Sequence, residues 1–287
     1  MTLRLPQLQS FLRANSEAIA CELTRVRGSS PREQGTFMLV GAQGIFGTIG
    51  GGALEHMVID HARRLLASGQ AEAAMDVPLG PEIGQCCGGR VGVQLRYADA
   101  GLRGALLERV AAEDRALPHV FVFGAGHVGR ALAQVLALLP VQAHVVDTRA
   151  SELVGLPAGV EARLTPLPEA AIRSAPPGSS FVVLTHDHAL DFLLAKEALE
   201  RADSPYIGMV GSATKRARFS SWFRAEGGDP AALQRLVSPI GRQGLGDKRP
   251  EVIAALAAAE IMVQIGRREA DIGHVQGARE LRAVDGR

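Results

Sequence analysis

The stretch His119-Val120-Phe121-Val122-Phe123-Gly124-Ala125-Gly126-His127-Val128-Gly129 decides the fold of the C-terminal half. A short apolar run reads as a buried strand over His119–Phe123. It enters a glycine-rich turn that opens a helix over Val128–Leu138, and a second strand over His144–Asp147 ends on an acid. Strand, glycine turn, helix and acid-terminated strand together form the full context of a dinucleotide-binding fingerprint. Gly124 and Gly126 permit a tight turn and close backbone approach to a phosphate. Gly129 permits close helix–sheet contact, and the helix N-terminus, which follows His127, offers free N–H donors. Asp147 is placed to accept from a ribose hydroxyl and Arg149 to pair with a phosphate, so the motif alone leaves the cofactor open.

Outward from this motif the alternation continues. A weaker unit lies around Ala162–Ser174, followed by a strand over Phe181–Thr185 and a helix over Ala189–Arg201. A strand over Tyr206–Val210 and a basic helix over Ala213–Ala225 come next, and a last helix starts at Pro250, a favourable first-turn residue, and runs to about Arg267. This is βαβ punctuation and predicts a Rossmann-like, doubly wound parallel sheet. Thr185-His186-Asp187-His188-Ala189-Leu190-Asp191 falls at the C-terminal end of a strand, the edge where open α/β sheets bind ligands. His186 and Asp187 could act as an acid–base pair or as ligands there, or Asp187 could simply cap the next helix. Gly211-Ser212-Ala213-Thr214-Lys215-Arg216 suits either a phosphate or a solvated basic face.

The half before Pro118 has a different grammar. Strand-like runs over Glu17–Thr24 and Gly35–Val40 flank the loop Arg27-Gly28-Ser29-Ser30-Pro31-Arg32-Glu33-Gln34-Gly35. Its turn formers and two guanidinium groups suit an anion as well as an ordinary hairpin connection. Thr48-Ile49-Gly50-Gly51-Gly52-Ala53-Leu54-Glu55 opens a helix marked by Leu54, Val58, Ala62, Leu65 and Leu66. Alternation over Val91–Leu95 gives a strand, and Gly104–Ala116 an amphipathic helix. Between these lies Gly84-Gln85-Cys86-Cys87-Gly88-Gly89-Arg90, two adjacent thiols in a glycine-bounded loop. A thiolate favoured by Arg90 could meet a soft metal; two bland loop residues are the alternative. Structural zinc is excluded because no second Cys or His pair completes four ligands.

The whole is therefore an α/β protein: a mixed α/β domain over 1–117, a Rossmann-like domain over 118–270, and a tail over 271–287 expected to be mobile. Lys plus Arg total 31 against 30 Asp plus Glu, so no global field draws the chain to nucleic acid or a membrane surface. With Cys21, Cys86 and Cys87 unable to pair fully and no signal-like N-terminus, reduced thiols and a cytoplasmic location are the expectation. A homodimer is the base-rate expectation for such a chain.

Taken in order, Pro31–Gly35, Thr48–Glu55 and Gly84–Gly89 closely resemble the N-terminal domain of XdhC/CoxI-type accessory proteins. Phe123–Gly129, Val146–Arg149, Thr185–Asp191 and Tyr206–Ser212 resemble that family's C-terminal Rossmann domain, so the resemblance covers nearly the whole chain. It implies a chaperone that binds the molybdenum cofactor (molybdopterin) and shields it while the terminal sulfido ligand is installed. The cofactor then passes to the molybdenum-binding subunit of a hydroxylase such as xanthine dehydrogenase, with a cysteine desulfurase as sulfur donor. In that role Cys86 and Cys87 lie near molybdenum or its dithiolene, Arg32 and Gly50–Gly52 contact pterin or phosphate, and Gln85 borders the thiols. The Rossmann loop holds the same phosphate or a separate nucleotide such as NAD(P). The rival reading is an NAD(P)-dependent oxidoreductase with His186 or His188 as proton donor. It leaves the N-terminal glycine and cysteine loops unexplained. A scaffold without a small ligand makes all these loops coincidences.

Overall fold

A computed structural model describes residues 4–81, 88–241 and 246–284, with side chains as far as 271. The chain divides into two compact units, Met1–Ala116 and Leu117–Arg287.

The first unit is an antiparallel sheet with helices on both faces. Its strands are β1 (Ala18–Arg27), β2 (Phe37–Gly41), β3 (Ile45–Gly47), β4 (Glu72–Pro78) and β5 (Arg90–Tyr97), in the order β3-β2-β1-β5-β4. Period-two alternation assigns the faces. Ile19, Cys21 and Leu23 of β1 join Val91, Val93 and Leu95 of β5 beneath α2 (Gly52–Ser68), which supplies Leu54, Val58, Ala62 and Leu65. Ala18 and Ala20 face the other way, with Phe37 and Leu39, against α1 (Leu5–Ala14) and α3 (Ala100–Arg115). Each fully buried Leu or Val in these layers contributes roughly 1.5–3 kcal/mol relative to exposure. Cys21 belongs to this core: burial pushes its thiol up to about 12, which makes it inert packing.

The second unit is a six-stranded parallel sheet. Its strands are β6 (His119–Phe123), β7 (Gln142–Asp147), β8 (Val160–Leu164), β9 (Ser180–Val183), β10 (Ile207–Met209) and β11 (Leu236–Val237), ordered β11-β10-β9-β6-β7-β8. On β6, Val120 and Val122 pack under α4 (His127–Leu136) and α8 (Pro250–Val284), while Phe121 and Phe123 pack on the opposite face. That face is covered by α5 (Glu169–Arg173), α6 (His188–Glu200) and α7 (Ala213–Ala225). From β6 the chain moves to β7 and β8 on one side, then returns to place β9 on the other. The reversal opens a crevice at the C-terminal ends of β6 and β9, where the Gly124 and Thr185 loops emerge.

Two expectations change. Helix α1 and strands β3 and β4 lie where the sequence reading placed no element; β4 is an edge strand with its outer face exposed, so its apolar signal is weak. Helix α8 continues to Val284, past the end expected near Arg267 and through most of the stretch read as a tail. Among the described side chains, which reach 271, the last buried one is Ile265, but the sequence continues without a proline. Periodicity reports packing against a core, not where the helix ends. Among the described residues, no helix is long and apolar enough to cross a membrane.

Candidate functional site

In the first unit the structure brings three separate motifs together. Strand β1 pairs Arg27 with Arg90 of β5, so the loop after β1 and the stem before β5 start side by side. Their contact is backbone-close. A Cβ on Gly89 would lie 2.0 Å from the Ser29 carbonyl oxygen and 2.8 Å from that of Arg27. On the other side of the loop, a Cβ on Gly50 would lie 2.6 Å from Cγ of Pro31. The loop carrying Arg32 therefore touches both the glycine turn and the stem of the cysteine loop. The stem is closed by Leu79 N–H donating to the Gly89 carbonyl (2.8 Å) and Gly88 N–H to the Leu79 carbonyl (2.9 Å). Gln85, Cys86 and Cys87 lie outside the described residues.

Glu55 fixes the glycine turn. Its carboxylate accepts from the N–H of Ile49 (3.2 Å) and Gly51 (3.0 Å) and from the Thr48 hydroxyl (2.5 Å). Gly51 and Gly88, at φ 75° and 68°, have nothing among the described residues within 4 Å of a would-be Cβ, so neither backbone is crowded by those residues. Gly52 starts α2, and the guanidinium of half-buried Arg32 has no ion-pair partner among the described residues. The sequence reading missed Glu55; an acid in the first turn after a helix-opening glycine run is the signal that finds it.

In the second unit the fingerprint glycines hold three distinct places. Gly124, at φ 110°, would drive a Cβ to 2.4 Å from the Leu184 carbonyl oxygen, and Gly129 would drive one to 2.0 Å from the Gly124 carbonyl oxygen. Gly126 has open space. The outer two thus permit strand and helix packing, and the middle one leaves room for a ligand. A cleft of about 540 Å³ lies here, lined by Gly126, His127, Arg130, Arg149, Thr185 and His186 among others.

Asp147 does not stand open to a ribose as the fingerprint suggested. It is buried, and Oδ2 accepts from Ala125 N–H (2.8 Å) and Arg149 Nη2 (3.1 Å), while Oδ1 accepts from Arg149 N–H (3.0 Å) and Nε (3.1 Å). Burial raises its pKa, but the Arg149 guanidinium and the two backbone donors outweigh this and hold the carboxyl below its ordinary value. Asp187 caps α6, accepting from Ala189 N–H (2.8 Å) and Leu190 N–H (3.4 Å), and His186 is exposed on the cleft.

Behind this edge lies a buried ion pair that the sequence reading did not single out. Asp191 is fully buried, pairs with Lys215 and accepts from Thr185 N–H (2.9 Å) and hydroxyl (2.7 Å). It ties the loop after β9 to the first turns of α6 and α7. Ser212 caps α7 by accepting from Lys215 N–H, and Arg216 donates to the Ser238 carbonyl, so the groups read as phosphate binders are engaged internally. Among the described residues no cluster of three or more His, Cys, Asp or Glu is arranged to hold a metal ion.

An antiparallel unit followed by a Rossmann unit with an open glycine loop defines a two-unit α/β protein of Rossmann type. Residues 120–261 match the XdhC Rossmann domain, and residues 11–77 match the XdhC and CoxI family. The chain belongs to that family. It is 29% identical over 253 residues to the uncharacterized protein YqeB of Escherichia coli (strain K12). That alignment takes in 82% of this chain but only 41% of YqeB, so the chain spans about two fifths of that relative. A crystal structure from Bacillus halodurans, described as a xanthine dehydrogenase, superposes with a TM-score of 0.72 at 18% identity. It covers 92% of this chain and 96% of that one, a likeness of fold.

Proposed function

We propose that this chain serves the maturation of xanthine dehydrogenase or a related molybdenum hydroxylase by carrying the molybdenum cofactor as cargo. It protects the cofactor during sulfuration and delivers it to the molybdenum-binding subunit, with a cysteine desulfurase as sulfur source. Family membership fits such a role. The observation that carries the reading is the convergence of the Arg32 loop, the Gly50–Gly52 turn and the stem of the Cys86–Cys87 loop. Backbone at Gly51 and Gly88 that no described residue crowds, with Arg32 on the loop that touches Gly50 and Gly89, suits a flat ligand with a phosphate end. The two thiols suit its sulfur-rich metal end. Cytoplasmic location and a homodimer belong to the same reading.

The test is anaerobic titration of the purified chain with released molybdenum cofactor, run on wild type, on the Cys86→Ser, Cys87→Ser double variant and on Arg32→Ala, each with and without excess NAD. Near-stoichiometric binding that weakens in the cysteine variant and ignores NAD supports the carrier. An Arg32 variant with unchanged affinity removes that residue from the site. No binding by folded protein transfers the argument to an NAD(P)-dependent oxidoreductase, whose support is the cleft beside Gly126 and His186.

A further inference from the structure

The cleft of the second unit carries a question that the carrier reading does not answer: what kind of nucleotide it selects. In a Rossmann site the acid ending the second strand accepts the ribose hydroxyls. Here that acid is Asp147, and both its oxygens are filled from within, by the Ala125 and Arg149 N–H groups and side-on by Nε and Nη2 of Arg149. For a ribose diol to bind it, the guanidinium must leave and neutral O–H donors must replace charge-assisted ones. That exchange is unfavourable, because charge-assisted hydrogen bonds are roughly twice as strong as neutral ones.

Arg149, by contrast, has donors to spare. A guanidinium carries about five N–H groups, and the carboxylate takes one from Nε and one from Nη2. The remaining edge, at Nη1, meets Glu152 at 3.6 Å, and Arg130 meets the other Glu152 oxygen at 4.0 Å; both contacts are too long for hydrogen bonds. Arg130, Arg149 and Glu152 all line the cleft. An anion entering there can take the open edge of Arg149, with Glu152 as the group it must displace. The Asp147 contacts stay intact.

We propose that this cleft binds nucleotides carrying a phosphate on the ribose 2′ oxygen and discriminates against those with a free 2′ hydroxyl. Arg149 is the specificity-determining residue, and Asp147 is the positioning residue that holds it against the glycine loop. The proposal goes beyond the carrier reading and does not depend on it, since it concerns the second unit alone.

The experiment is calorimetric titration of the full chain with adenosine 2′,5′-bisphosphate, adenosine 5′-monophosphate and inorganic phosphate, on wild type, Arg149→Met and Glu152→Gln. Wild type is expected to bind the bisphosphate at least about tenfold more tightly than the monophosphate, the ratio that one charge-assisted contact supplies. Arg149→Met brings that ratio to one or below, because it removes the partner of the 2′ phosphate and frees Asp147 for a 2′ hydroxyl, and Glu152→Gln, which leaves the Asp147–Arg149 pair untouched, raises it. A wild-type ratio of one or below, or no binding of either nucleotide, overturns the proposal. So does inorganic phosphate binding as tightly as the bisphosphate, which would mean that the cleft holds a phosphate without its nucleoside. An Arg149→Met variant that weakens both nucleotides equally, or a Glu152→Gln variant that leaves the ratio unchanged, also counts against it.

Discussion

Pro31 occupies the space that a side chain on Gly50 would need: a Cβ there would stand 2.6 Å from Cγ of the proline. The contact joins two motifs some twenty residues apart, and Gly50 also holds φ 134°, which L side chains rarely adopt. Gly50→Ala should therefore cost about 1–3 kcal/mol of stability through strain. It should also push the Arg32 loop off the turn and weaken the cofactor binding proposed above. Pro31→Ala in the same chain should restore part of the binding by removing the clash, but only part, because the dihedral strain remains. A double-mutant cycle on affinity checks this; strict additivity of the two changes would mean the loops are independent.

Glu55 supplies the next test. Removing its carboxylate leaves the Ile49 and Gly51 N–H groups without their acceptor and frees the Thr48 hydroxyl. Glu55→Ala should cost on the order of 1–3 kcal/mol where those groups stay desolvated. Glu55→Gln retains a carbonyl acceptor and should lose less. Hydrogen exchange at Gly51 distinguishes a loosened turn from global destabilisation: its amide should exchange faster in Glu55→Ala than the drop in melting temperature alone accounts for.

What the sequence could reveal follows from how each feature is encoded. The second unit was legible in its layout because βαβ alternation is local: β6 and α7 match their expected spans, and strands joined through helices pair in parallel. Edge elements such as β4 and β11 escaped because they bury few side chains, and α1 because only Leu8 of its ten residues is fully buried. Among site residues, the glycine loops were found by motif, but the partners of Asp147 and Asp191 were not. Whether an acid at a strand end faces a ligand or a neighbouring guanidinium depends on side-chain geometry two residues away, which spacing does not specify. Asp191 and Lys215 are 24 positions apart and meet only once β9, α6, β10 and α7 are assembled.

That pair makes a sharp prediction about stability. Lys215→Met strands a fully buried carboxylate and should cost roughly 3–5 kcal/mol, while breaking a solvent-screened pair such as Arg249–Asp247 should cost far less. Asp191→Asn together with Lys215→Met removes both charges, keeps an acceptor for Thr185, and should recover most of the loss. Urea denaturation of the three variants is the measurement. If the double variant is as unstable as Lys215→Met alone, the cost lies in the packing of the lysine stem beneath Gly211, whose absent Cβ would lie 2.5 Å from Lys215 Cδ, and not in the charge.

The second unit should also carry an acid-sensitive point at His144. This imidazole is buried, stacks on Phe121 at 4.4 Å, shares a 2.8 Å N···N hydrogen bond with His119, and faces Glu161 and Arg163 of β8. Burial, and then the Arg163 charge, push its pKa down from 6.5 to about 4, against the opposing pull of Glu161. The folded protein therefore resists a proton that the unfolded chain accepts. Well above pH 6.5 neither state is protonated and the group contributes no pH dependence; as pH falls through 6.5 towards 4 the unfolded state gains protons first, and stability is lost across that window. His119, lowered by burial and the same arginine, adds in the same direction. His144→Phe preserves the ring stack and removes the titrating group, so its melting temperature should fall less between neutral pH and pH 4 than that of wild type. Parallel melting curves for the two proteins across that range would place the acid sensitivity elsewhere.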